Sequence, residues 1–174
     1  MRVTRAGWAL LALGTTGALL VAGAGTPSAA PTTTLISKNA AGQAGTGGGG
    51  LQVFLRDRVA RTTRQVSVGS RGVPANGTSL RGAISGNGRY VTFESAATNL
   101  APVPVNPQQQ IYLRDLVAGT TVIASVTNAG RPGNSVSFFP AVNDPGGVVF
   151  QSLAFNLLPP GTPSGGYQIY YHSL

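Results

Sequence analysis

The sequence predicts an all-β fold built from repeated four-stranded antiparallel units. Three observations carry that prediction. The segment Gln52-Val53-Phe54-Leu55-Arg56-Asp57 returns 58 residues later as Gln110-Ile111-Tyr112-Leu113-Arg114-Asp115, and again 58 later as Gln168-Ile169-Tyr170-Tyr171-His172-Ser173. A fixed period of this length marks stacked supersecondary units that cannot bury their apolar faces alone. Short β-branched and aromatic runs alternate with Gly, Asn and Asp turn residues, leaving almost no helix beyond the N-terminal segment.

Residues 1–30 read as a secretory signal peptide. Met1-Arg2-Val3-Thr4-Arg5 is a basic start, Trp8 to Ala24 a short apolar centre, and the small residues through Ala30 an exit. The apolar run is short for a membrane span, and a retained anchor is the alternative. Cleavage is expected after Ala24 or near Ala29 and Ala30, with Pro31 disfavouring a cut immediately before it.

Residues 31–50 form a leader. Thr32 to Ser37 matches Thr62 to Ser67 at an offset of 30 instead of 58, so about 28 residues, the first two strands of the opening unit, are absent there. The Gly-rich stretch Ala41 to Gly50 stands in their place and has the composition of a flexible coil.

Residues 51–174 hold the repeat. In the complete unit the expected strands are Leu80 to Ser85, Arg89 to Ser95, Gln110 to Asp115 and Thr121 to Val126. Asn87-Gly88 supplies positive φ for the first hairpin. Val53-Phe54-Leu55 and Ile111-Tyr112-Leu113 are continuously apolar, as expected of strands covered on both faces. The register between the first two copies extends through Thr62-Thr63, Ser67-Val68, Gly72, Pro74, Asn76 and Ser79 and their partners 58 residues on. One residue is lost before Phe150, which answers to Phe93.

The stretch Ala83 to Ser95, with Asn87-Gly88 in place of an Asp-Gly, together with Asn99-Leu100, Ile111 to Asp115 and Val66 to Val68, resembles the WD40-like repeats of TolB-type β-propellers. The likeness covers nearly everything from Thr32 to Leu174. It implies an incomplete β-propeller of four-stranded antiparallel blades, since closed propellers have about four to eight blades and this chain carries about two and a half. Propellers of that family commonly complete one blade from both termini. Thr33 to Ser37 is therefore expected to pair with Gln168 to Ser173, the alternative being a leader that pairs with nothing. The resemblance is specific for fold and uninformative for function, because such blades serve envelope proteins, peptidase accessory domains and others.

The chain carries a net charge of +8 and no cysteine, which leaves no disulfide framework and no lipidated cysteine anchor. Without Arg2 and Arg5 ten basic residues remain, seven of them between Arg56 and Arg89. Such a cluster can attract an anionic envelope polymer or nucleic acid. Arginine outnumbers lysine eleven to one, which fits a GC-rich genome, and Arg58, Arg61 and Arg64 fall at loop and edge positions where charge discourages unwanted pairing. That reading outweighs the first, and nucleic acid is disfavoured.

No catalytic, cofactor-binding or metal-ligating set emerges. His172, the only histidine, occupies the repeat position of Arg56 and Arg114. Asp57 and Asp115 are copies at a strand end, explained by an ion pair or a turn hydrogen bond. Glu94 aligns with Gln151, and Asp144 sits in a turn that Asp stabilises locally. Gly47 to Gly50 lacks the Lys-Ser/Thr of a phosphate loop, and Asn76-Gly77-Thr78 is a sequon whose copy does not fit. Phe54, Tyr112 and Tyr170 read as core, while Tyr167, Tyr170 and Tyr171 could also mark a contact at an open edge.

The expectation is a secreted or envelope-located, non-enzymatic propeller-repeat module for protein or ligand binding or scaffolding. Its partner would be a protein, or a second copy meeting open blade edges. The alternatives are a non-catalytic accessory domain of a hydrolase and a truncated gene product without independent function.

Overall fold

The computed structural model describes residues 33–36, 50–103, 105, 108–162 and 165–173. The signal-like segment and most of the Gly-rich leader lie outside the described residues, as does Ser37. Among the described residues there is no α-helix. Ten strands form three antiparallel sheets, with one 3-10 turn at Phe155–Leu157.

The first sheet holds β1 (Thr33–Ile36), β2 (Phe54–Asp57) and β3 (Thr62–Gln65), in the order β1-β2-β3. The second is a four-stranded meander of β4 (Ser79–Ile84), β5 (Tyr90–Ser95), β6 (Gln110–Asp115) and β7 (Thr120–Ile123). The third holds β8 (Ser137–Val142), β9 (Val148–Ser152) and β10 (Gln168–His172), in the order β10-β9-β8. The all-β, antiparallel expectation holds, and no sheet closes on itself.

The expected pairing of Thr33 to Ser37 with Gln168 to Ser173 is not what forms. β1 pairs with β2, setting Thr33 opposite Asp57 and Ile36 opposite Phe54. β3 lies on the other edge of β2 in the same register, with Thr62 opposite Asp57 and Gln65 opposite Phe54. β1 thus joins the same strand as its sequence match β3, on the other edge and one residue out of the matched register, since Thr33, the match of Thr63, faces Asp57 and not Arg56. An unpaired edge of N–H and C=O groups close in sequence is satisfied at a lower loop-closure cost than one more than a hundred residues away.

β6 spans its expected limits. β4 shifts by one residue, β5 starts one residue late and ends as expected, and β7 is shorter than expected because Ala124 and Ser125 both turn their N–H groups to the carbonyl of Ile111. The β4–β5 turn closes through Ser85, whose Oγ accepts from Tyr90 N–H at 3.0 Å and donates to Asn87 Oδ1 at 2.7 Å. Positive φ falls on Gly88 (73°) and not on Asn87, so glycine supplies the left-handed residue and asparagine the side-chain acceptor.

The second sheet is covered on both faces, which explains the unbroken apolar run in β6. On one side Val91, Phe93, Tyr112 and Ile123 pack against Val53, Leu55 and Val66 of the first unit. On the other, Tyr90, Ile111, Leu113 and Ala124 pack against Val148 and Phe150 of the third sheet. Phe93 stacks on Tyr112 with ring centres 5.9 Å apart, and Phe150 on Tyr170 at 5.5 Å. Burial pushes the Tyr112 hydroxyl up to about 12, while it donates to the carbonyl of Ala97 at 3.0 Å.

Buried glutamines fasten the strand ends. Gln52 Oε1 accepts from Ser67 Oγ at 2.7 Å, and Gln110 Oε1 from Ser125 Oγ at 2.7 Å. Those serine oxygens accept the N–H groups of Val53 and Ile111. Among the described residues no buried side-chain polar atom lacks a partner, as stable packing requires.

Candidate functional site

Two strands bend at places 58 residues apart. β4 shifts register between Leu80 and Ala83, and β8 between Phe138 and Ala141. Arg81 (φ 41°) and Phe139 (φ 51°) adopt the left-handed region there, which costs an L residue roughly 1–2 kcal/mol. Glu94, fully buried on β5, offsets that strain. One carboxylate oxygen accepts from Arg81 at 3.0 Å and from Gln109 Nε2; the other accepts the N–H of Phe139 at 2.7 Å. The Arg81 guanidinium lies 5.1 Å from the Phe139 ring centre. Glu94 therefore joins the second sheet to the third, and Phe139 is held outward with 60% of its surface exposed.

Alternation along β8, β9 and β10 gives the third sheet two faces. Val148, Phe150 and Tyr170 point toward the second sheet. The opposite face carries Phe138, Ala141, Val149, Gln151, Ile169 and Tyr171, following the pairings Phe138 with Gln151, Ala141 and Tyr171 with Val149, and Ile169 with Gln151. Ile169 is 71% exposed, Tyr171 63% and Val149 41%. Tyr167 adds an edge-on ring contact to Phe138 at 6.3 Å. The hydroxyl end of Tyr171 lies against Gly147, where any Cβ would collide with it. None of these side chains on this face carries a formal charge, although the Arg81 guanidinium lies over Phe139, whose ring centre is 6.1 Å from that of Phe138.

Its lack of charge follows from the sequence, which has no lysine or arginine after Arg131. Asp144 is turned away to the neighbouring sheet, accepting the N–H of Asn87 at 2.8 Å. That departs from the expected local role, which Asn143 fills by accepting Gly147 N–H at 2.7 Å. His172 is half-buried on β10, opposite Val148, and burial lowers its pKa.

The remaining acids are structural. Asp57 accepts the N–H groups of Val59 and Ala60, both at 2.9 Å. Asp115 does the same for Val117 and Ala118, and takes a two-pronged contact from Arg89, closest at 2.7 Å. The Arg89 hydrogen bonds hold the Asp115 carboxyl well below the usual carboxylate range. Among the described residues no group of three metal-ligating side chains assembles.

Of the basic cluster, Arg56 donates to Thr63, Arg81 to Glu94 and Arg89 to Asp115, while Arg58, Arg61, Arg64 and Arg71 are exposed. Arg71 is the one charged residue lining a cavity of about 410 Å³ between residues 69–73 and 99–102. The sequon residue Asn76 donates from its side-chain amide to Thr98 Oγ1 and accepts Thr98 N–H with its oxygen. Phe54 and Tyr170 are half-buried and Tyr112 fully buried, while Tyr167 and Tyr171 are exposed.

Sequence reasoning singled out Tyr167 and Tyr171 and missed Val149, Phe138 and Phe139. The signal available was the stretch after Arg131, which has no lysine or arginine. No family model and no curated protein matches the chain.

Proposed function

We propose that the chain is an exported, non-enzymatic binding module of the β-propeller-repeat kind, whose protein partner docks on the outer face of the third sheet. The observation that carries this reading is the uncharged face of Val149, Ile169 and Tyr171, apolar and open to solvent on a strand pair whose other side is core. Contiguous exposed apolar faces of this kind mark interaction sites. The stacking of three antiparallel sheets with equivalent hydrogen bonds 58 residues apart supports the propeller-repeat reading, and the signal-like N-terminal segment supports export.

The test is photocrosslinking with a benzophenone residue at position 169, and at the exposed loop position 117 as the control. Protein adducts formed at 169 and not at 117, and abolished by Tyr171→Lys, are expected. Equal labelling at both positions, or none, overturns the assignment of the face. N-terminal sequencing of exported product is expected to begin between Gly25 and Thr32.

A further inference from the structure

We infer that the occupant of this face is the same face of a second copy, related by a two-fold axis that brings together Val149, Ile169 and Tyr171 of both chains. The inference rests on the binding reading and names its partner.

The first argument is the count of uncovered faces. Both faces of the second sheet and the inner faces of the first and third are already covered within the chain. By register the outer face of the first sheet carries Phe54, Arg56, Thr63 and Gln65 together with Thr34 and Ile36, four of the six polar and Arg56 charged. Head-to-tail association would press that arginine onto a face with no carboxylate, desolvating a charge without a partner. One apolar face per chain is instead satisfied in pairs, because a two-fold contact uses the same patch on both copies.

Charge gives the second argument. At a net +8, or +6 once Arg2 and Arg5 are removed, the chain repels its own copies. Its basic residues cluster between Arg56 and Arg89 and stop at Arg131. A two-fold through the third sheet sets the two first sheets, with Arg56, Arg58, Arg61 and Arg64, at opposite ends, with a second sheet between each and the contact. The face also has the composition of an interface centre, rich in tyrosine and apolar residues and depleted of charge.

The chain contains no cysteine, so single-cysteine variants of the full chain report the contact directly. Under mild oxidation at least one of Val149→Cys, Ile169→Cys and Tyr171→Cys is expected to give a disulfide-linked dimer, and Phe54→Cys none. Sedimentation of the wild type should show a concentration-dependent monomer–dimer equilibrium, weakened at least tenfold by Ile169→Lys with an unchanged circular dichroism spectrum. A wild type that stays monomeric, or crosslinks only when Tyr171→Cys is mixed with Phe54→Cys, overturns the two-fold. Adducts at position 169 to a different protein, with a monomeric chain, remove the dimer and leave the binding reading standing. Absence of both removes both.

Discussion

Asp115 shows how far one carboxylate can be committed to structure. It receives two turn N–H groups and a two-pronged guanidinium, and its carboxyl is held below the usual range chiefly by the Arg89 hydrogen bonds. A group whose folded pKa is depressed adds stability that is complete above its unfolded value, about 3.9, and is lost as pH falls below it. Thermal melts should therefore show stability declining on acidification below about pH 4, and Asp115→Asn should flatten that decline while costing about 2 kcal/mol at neutral pH. Arg61 is a different case. It sits in the β2–β3 turn at φ 54°, where the β6–β7 turn has Gly119 at φ 68°. Arg61→Gly should raise stability by about 1 kcal/mol, read as a shift in denaturation midpoint, because glycine adopts this backbone without steric cost.

At the scale of the element, the strands of the second sheet were legible because their sequences satisfy every local rule at once. β6 is apolar throughout and proves to be covered on both sides; β4 and β5 flank an Asn-Gly turn and form its hairpin. The pairing of β1 was not legible. Its four residues resemble a last strand, and that resemblance fixes neither the edge nor the register, since Thr33 matches Thr63 yet faces Asp57. Which edge it takes depends on what else is unpaired nearby, a fact of three-dimensional arrangement. The bulges at Arg81 and Phe139 were hidden for a related reason, since neither residue type announces positive φ. Hydrogen exchange should rank these elements. Amides of β5, β6 and β9, inside the packed layers, should open only with global unfolding, and those of β1 far sooner. A chain beginning at Gly50 should keep the protection of β5, β6 and β9; its loss there would show that β1 carries more of the fold than one edge pairing.

Seen whole, the molecule is polarised. The first sheet and its turn carry the exposed Arg58, Arg61 and Arg64, the second is packed on both faces, and the third is almost free of charge and open on one face. Composition showed the basic end plainly, through seven residues between Arg56 and Arg89. The opposite end was harder to read, because Val149, Ile169 and Tyr171 are the residue types expected inside a sheet stack. Only the stacking order shows that no other sheet of the described residues lies over them. The absence of arginine and lysine after Arg131 was visible from the start, and its meaning came with the placement of the third sheet at the outside of the stack.

The contacts made by Glu94 and Asp144 determine how the layers are aligned. Apolar sheet faces attract without direction, so two such layers could slide along the strands by a residue pair and still bury Val and Phe against Val and Phe. Glu94 accepts one particular N–H, that of Phe139 where β8 bends, and Asp144 accepts one particular N–H in the turn below it. On the other side of the second sheet, Thr121 donates to the carbonyl of Val68 at 2.6 Å, and Arg114 donates to Gly69. These act as dowels through greased plates: the apolar clusters hold the layers together, and a few directional bonds decide where each layer stops.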